Sequence, residues 1–311
     1  MKPEPVQPFP HLSPADLIHR LGAGRPLFLV DVLPREHFAA VHLPNAGNAC
    51  IFEVTFLDQV RAITDDPAAE IVLYGAGAAT LDALTAAEKL DRAGYRNLAI
   101  LLGGLEAWCG AGQSLAGEEG AASGDPGTML ALADGRYRID PQRSTVEWAG
   151  RNVNSRHHGF VGISRGEIAV SDGTITGSCE LDMTSIRNVD LDGSEWQPVL
   201  HAHLNSDDFF FTSLFPRARF SILGSSMVAE PFVTVPNYQL HGILELRGVK
   251  AEQSFWATVA RTADGTLVAE AHFDLDRTRW NVNYGSARFF EHLGMHAVFE
   301  PISIQLRIVA A

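Results

Sequence analysis

The sequence predicts two folds in one chain: an α/β domain with a parallel sheet, then an all-β antiparallel barrel of about eight strands. Three observations predict this. Short, continuous apolar runs alternate with a helical pattern in the first half. Period-2 alternation broken by Asp-Gly turns fills the second half. Between them, residues 110–128 (GAGQSLAGEEGAASGDPGT) carry Gly, Ala and Ser without an apolar period, a flexible-linker composition. The expected bounds are residues 1–109 for the first domain, 110–135 for the linker and 136–311 for the second domain. At 311 residues the chain suits two domains, each long enough to bury a core without staples.

In the first half, Leu27–Val30, Ile71–Tyr74 and Leu98–Leu102 read as strands buried on both faces, because they are apolar without alternation. Leu81–Ala93 lies between the last two. Its Leu81, Leu84, Ala87 and Leu90 fall near helical spacing, and Gly94 is a helix stop. Strand, helix and strand at this spacing imply parallel pairing.

In the second half four period-2 series stand out. They are Cys179, Leu181 and Met183; Tyr238 to Leu246; Leu267 to Leu275; and Ile302 to Ile308. Asp172-Gly173 and Asp264-Gly265 mark hairpins. No long helix is evident among the strands, so the apolar faces are expected to close on each other. Alternation alone does not separate a filled barrel from a hollow one.

Composition excludes several function classes. With 24 Lys+Arg against 37 Asp+Glu, the net charge of −13 argues against a general nucleic-acid binder. The two halves carry net −8 and −5, so neither is a single-sign tail. No apolar run reaches the roughly 18 residues of a membrane span. Three Cys make no disulfide framework and suit a reducing compartment. The N-terminal MKPEPVQPFPHLSP has prolines where an export signal needs an apolar stretch. The expectation is a soluble cytoplasmic protein.

Several ordered phrases of the first half resemble a rhodanese-like domain. They are Leu29-Val30-Asp31-Val32, Arg35-Glu36-His37-Phe38, His42-Leu43-Pro44-Asn45-Ala46, Ile71-Val72-Leu73-Tyr74, Gly94-Tyr95 and Leu102 to Trp108. The resemblance implies a sulfane-sulfur Cys in the loop after the fourth phrase. Here that loop is Gly75-Ala76-Gly77-Ala78-Ala79-Thr80, with no Cys and no Arg. Leu33 stands where the family has an Arg after the Asp-Val pair. Without a thiolate no persulfide forms, so no catalytic residue is expected and the domain is read as an interaction or regulatory module. Gly75-x-Gly77-x-x-Thr80 is a partial dinucleotide fingerprint lacking its third Gly. A sulfurtransferase using Cys50 or Cys109 stays open as an alternative.

The second half resembles the YceI-like, lipocalin-type family. The resemblance rests on Gly159 to Gly162, Gly166-Glu167-Ile168, His203 to Phe210, Phe215-Pro216-Arg217-Ala218-Arg219-Phe220, Leu246 to Val249 and Asp276 to Trp280. It implies a bore holding a long isoprenoid, such as a polyprenyl or quinone tail; a fatty-acid chain is also considered. No cofactor is required beyond that lipid. The expected ligand-binding residues are Phe160, Ile168, Leu181, Met183, Phe209, Phe210, Phe220, Leu244, Leu246, Trp256, Phe273 and Trp280. Arg156, His157 and His158, before a turn at Gly159-Phe160, are expected to meet the head group.

Eight of the twelve His lie in the second half. His201 and His203 would share a strand face, and His292 and His296 a helical one, spacings that can serve a metal. No complete ligand motif is present, so no metal is assigned and a metal- or haem-binding barrel stays an alternative. Paired carboxylates such as Asp207-Asp208 are adjacent rather than facing and give no acid/base pair. Homodimerisation through barrel edges or the Phe209–Phe211 run, and a purely structural module with a filled barrel, also stay open.

Overall fold

The chain is described from a computed structural model covering residues 9–24, 26–118 and 126–311. It divides into two units, residues 1–125 and 126–311. Residues 119–125 of the sequence-read linker and residues 1–8 of the N-terminal stretch lie outside the described residues.

The first unit runs β1 (His11–Leu12), α1 (Pro14–Gly22), β2 (Phe28–Asp31), α2 (Arg35–Ala40), β3 (Gly47–Asn48), α3 (Phe56–Ile63), β4 (Ile71–Tyr74), α4 (Asp82–Arg92), β5 (Leu98–Leu101) and α5 (Gly104–Gly110). The strands order β1-β5-β4-β2-β3, with every pairing parallel. The unbroken apolar strands now have their reason. Ile71 and Leu73 of β4 face α3 and α4, packing with Phe56, Val60 and Leu90. Val72 and Tyr74 face the other side, packing with Leu17 of α1 and Leu105 and Trp108 of α5. α1 starts at a capping box, Ser13 with Asp16, and Pro14 takes its first turn. Gly94, at φ +103°, ends α4 as its position suggests.

The second unit runs α6 (Pro126–Leu130), β6 (Gly135–Arg138), β7 (Thr145–Arg151), β8 (Arg156–Ser171), β9 (Thr174–Asn188), α7 (Trp196–Asn205), β10 (Arg217–Met227), β11 (Tyr238–Leu246), β12 (Val249–Arg261), β13 (Leu267–Asp276) and β14 (Pro301–Ala310). α6 falls within the expected linker, residues 110–135. Strands β7 to β14 close into an eight-stranded antiparallel barrel. β8 pairs with β7 through Arg156–Phe160 and with β9 along most of its length, and β6 extends the β7 side of β8 at Glu167–Val170. Two stretches of edge stay unpaired, because β6 has a single neighbour and β12 and β13 part beyond Ala257 and Ala271. In the Phe209–Phe211 run, Phe210 is buried. Asp172 and Gly173 both have positive φ (+49° and +72°), the geometry of a two-residue hairpin that only flexible or short side chains enter readily.

Antiparallel connectivity sorts the loops. The turn at 172–173 and the loops 228–237 and 262–266 share one end. The two long connections, 189–216 with α7 and 277–300, share the other. Two arginines tie these long connections down. Arg277 is almost fully buried and donates to the carbonyls of Phe299 (3.1 Å), Val298 (2.9 Å) and Val282. Arg247 donates to Phe209 O (2.7 Å) and Asn281 O (2.9 Å), bridging the two connections.

The inner face carries Phe255, Ala257 and Val259 of β12, Ala271 and Leu275 of β13, and Ile302 and Ile308 of β14 in the core, while Ser303 and Arg307 face outward. Phe255 is 8% exposed and its neighbour Trp256 is 48% exposed. Phe255→Ala should therefore cost about 3–5 kcal/mol as a large-to-small core change. Trp256→Ala should stay within about 1 kcal/mol. Urea unfolding of the two variants reads the difference, and equal losses would contradict this inside-outside assignment.

Candidate functional site

Inside the barrel lies a cavity of about 180 Å³. Its wall is almost wholly aliphatic and aromatic, the polar exceptions being Ser178, Cys179 and Gln253. An apolar cavity of about 150 Å³ is enough to stay dry and take up a benzene-sized group. Within the bore Phe255 and Phe273 stack nearly parallel at 4.3 Å, and Phe220 tilts against Phe255 at 5.4 Å. Burial pushes the Cys179 thiol up to about 12, with the Glu180 charge adding to it, so the group stays a neutral apolar surface.

Of the residues expected at the ligand, Ile168, Leu181, Met183, Phe210, Phe220, Leu244, Leu246 and Phe273 line this cavity. Four do not. Trp256 points outward, because β12 alternates and its parity belongs to Phe255. Phe160 lies outside the bore, where the Arg187 guanidinium covers its ring at 5.5 Å. Phe209 sits in the end segment against His203 and Tyr284, at 4.8 and 5.3 Å. Trp280 is fully buried and donates Nε1–H to Leu244 O at 2.8 Å, packing in the core without reaching the cavity wall. Phe255 and Gln253 are lining residues the sequence reading missed. The parity of Ala257 and Val259 contained the signal for both.

The expected head-group cluster is also placed differently. No turn occurs at Gly159-Phe160, which lies inside β8. The Cβ of any other residue at Gly159 would meet Arg187 O at 1.8 Å, so this Gly serves close strand approach. His157 Nδ1 lies 2.8 Å from Asp190 Oδ2, and the His158 N–H donates to Asp190 Oδ1 at 2.7 Å. Burial pushes the Asp190 carboxyl up, but these two contacts outweigh it and hold the group below its usual range. Arg156 is exposed with Nη1 3.4 Å from the His158 ring. None of the three lines the cavity.

The paired histidines separate as well. His201 and His203 sit on α7, not on a strand, so two residues of offset turns them to different sides. His201 Nε2 accepts the Asn188 N–H at 2.8 Å, and His203 Nε2 lies 3.0 Å from Asp208. His292 is in a loop at φ +59°, and His296 ends a single 3-10 turn, so they share no helical face. Among the described residues no group of three or more His, Cys, Asp or Glu is placed to hold a metal ion.

In the first unit, the loop 75–80 borders a second cavity of about 280 Å³, with His11, Thr80, Leu81 and Gly104 among its walls. Two carboxylates crowd the loop. Asp82 Oδ2 accepts the Ala76 N–H at 3.4 Å, and a Cβ on Gly75 would fall 2.8 Å from the Asp82 Cβ. A Cβ on Gly77 would fall 2.6 Å from Glu106 Oε2. Position 75 therefore fits glycine, and two carboxylates stand against the loop. Cys50 is buried and Cys109 exposed, both outside the loop.

Beneath the loop, Asp31 has no solvent exposure. Its Oδ1 accepts the Leu33 N–H at 2.8 Å, while Oδ2 has no hydrogen-bond partner. Burial raises its carboxyl to about 6, against the opposing pull of the Leu33 N–H and the Tyr74 hydroxyl. The stability contributed by the protonated group is full below about pH 4 and is lost as pH rises through about 6, amounting to about 3 kcal/mol. Asp31→Asn should remove that fall. Scanning calorimetry of the full chain at several pH values between 4 and 7 checks it through the first domain's transition.

Two family models match the chain. The YceI-like domain family matches residues 137–310, more than half of the chain, and the Rhodanese-like domain family matches residues 13–111. The adenylyltransferase and sulfurtransferase UBA4 of Candida albicans is 32% identical over 108 residues, covering 34% of this chain and 24% of that protein. The chain thus spans about a quarter of the length of the curated relatives it matches. BcnA of Burkholderia cenocepacia is 16% identical with a TM-score of 0.43, covering 56% of this chain and 99% of its own. A polyisoprenoid binding domain from Saccharophagus degradans is 12% identical with a TM-score of 0.39, covering 56% and 97%. With its eight-stranded barrel matched along nearly its whole length, the chain belongs to the YceI-like domain family and carries a rhodanese-like domain ahead of the barrel.

Proposed function

We propose that the barrel binds a long apolar lipid chain, of isoprenoid (polyprenyl or quinone) or fatty-acid type, and that the rhodanese-like domain is a non-catalytic interaction or regulatory module. One observation carries the first half: a bore of about 180 Å³ whose wall is apolar but for three residues. Burying a methylene there is worth about 0.8 kcal/mol relative to water. A bilayer offers the same gain, so the tail is nearly balanced between barrel and membrane. Net affinity then comes from shape and from polar contacts at the rim, which suits a carrier or sensor that exchanges its lipid. Native mass spectrometry of the gently purified chain, followed by organic extraction, tests this. A stoichiometric lipid is expected. An apo mass that persists after incubation with isoprenoid quinones and fatty acids would sink it.

The second half rests on the Gly75 loop, which lacks a nucleophile and faces the Asp82 and Glu106 carboxylates. Both carboxylates oppose a persulfide or thiosulfate anion. Thiosulfate-to-cyanide transfer is expected to stay at background, and iodoacetamide should label Cys109 well before Cys50 or Cys179. Turnover abolished by Cys109→Ser or Cys50→Ser would show a sulfurtransferase instead.

A further inference from the structure

β12 and β13 pair over only part of their length. Ala257–Arg261 pairs with Leu267–Ala271, whereas β12 meets β11 from Val249 onward and β13 meets β14 along all of Leu267–Asp276. Toward the long-loop end, this flank of the wall is not closed by a ladder. Two other contacts hold it. Inside, the Phe255 and Phe273 rings stack. At the rim, the 3-10 turn Arg277–Trp280 folds back from β13 onto β12, and Arg279 donates to the Glu252 carbonyl and, at 3.2 Å, to Gln253 Oε1.

Gln253 is the one carboxamide among the described residues lining the bore. Its residue is 9% exposed, one pleat from Phe255, and its Nε2 donates to Ser254 O at 3.0 Å. Arg279 is exposed, lies over the Trp280 ring at 4.9 Å, and has no carboxylate at ion-pair distance among the described residues. Its neighbours differ. Arg277 and Arg247 spend their donors on carbonyls, and Arg288 faces Asp276 at 3.3 Å. A guanidinium offers five N–H donors, and Arg279 uses two. A positive charge without a counter-ion thus stands one hydrogen bond from an apolar bore.

We propose that Arg279, with Gln253, is a head-group subsite, and that the barrel's ligand is an amphiphile with an anionic head, a carboxylate or a phosphate. The head sits at Arg279 in water, and the tail enters the bore against Phe255 and Phe273. This rests on the lipid-binding reading and narrows it, because a neutral quinone ring gains little from a guanidinium. The planar fork matches the oxygens of either anion.

Titration of the full chain with cis-parinaric acid, a fluorescent polyene, and with its methyl ester tests the subsite. The wild type should bind the acid about 10-fold tighter, the scale of one charge-assisted hydrogen bond. Arg279→Gln should lose the preference and bind acid and ester alike, whatever the ester affinity becomes once the rim contact is gone. Arg279→Lys should keep part of the preference, and salt should weaken only the acid. Farnesyl phosphate against farnesol in competition separates phosphate from carboxylate heads. Equal wild-type affinities for acid and ester, or a preference that survives in Arg279→Gln, would overturn the subsite while leaving a lipid carrier. A chain that binds neither probe overturns the carrier as well.

Discussion

Barrel closure is the constraint on which the second domain depends. Once β8 pairs with β9 on one side and β7 on the other, each strand from β7 to β14 has two neighbours, and strand residues are assigned to the inside or the outside. The alternation of β12 and β14 then becomes geometry: one parity builds an apolar bore, and the other meets solvent. Closure also fixes where polar chemistry can go. Charged groups inside the bore would be unpaired and costly, so they gather in the connections at one end.

Those connections are long and held by charge-assisted bonds rather than by a ladder. Arg277 gives a buried guanidinium to three carbonyls, and Arg247 spans two separate segments. Such bonds are about twice as strong as neutral ones. They explain how segments with exposed Trp196, Val199, Phe289 and Phe290 keep a defined shape beside the cavity. Arg279 is the member of this group whose charge is left available.

The first domain has the parallel-sheet framework of a rhodanese-like domain, with Gly75 opening the loop after β4. Its sheet is buried on both faces, and Tyr74 accepts the Leu43 N–H at 3.0 Å to pin the segment before the loop. At the loop, Gly75 lies against Asp82 and Gly77 against Glu106.

Sequence alone determined the features that depend on local periodicity and turn chemistry. Those are the three central parallel strands, α4 with its Gly94 stop, the Asp172-Gly173 hairpin and the alternation of β11, β13 and β14. Strand parity also accounts for seven of the bore residues named from sequence, since inward positions repeat every second residue, while Phe210 lies in a connection. Tertiary structure decided what periodicity does not carry. Trp256 and Phe255 are adjacent aromatics, and only the barrel's register assigns one to water and the other to the bore. His201 and His203 looked like a strand pair because α7 is amphipathic only weakly, and its helical form comes from packing against β9. The pairing of Arg279 with Gln253 joins residues 26 positions apart. It exists because a turn after β13 folds back over an unpaired stretch of wall, and no local pattern encodes that contact.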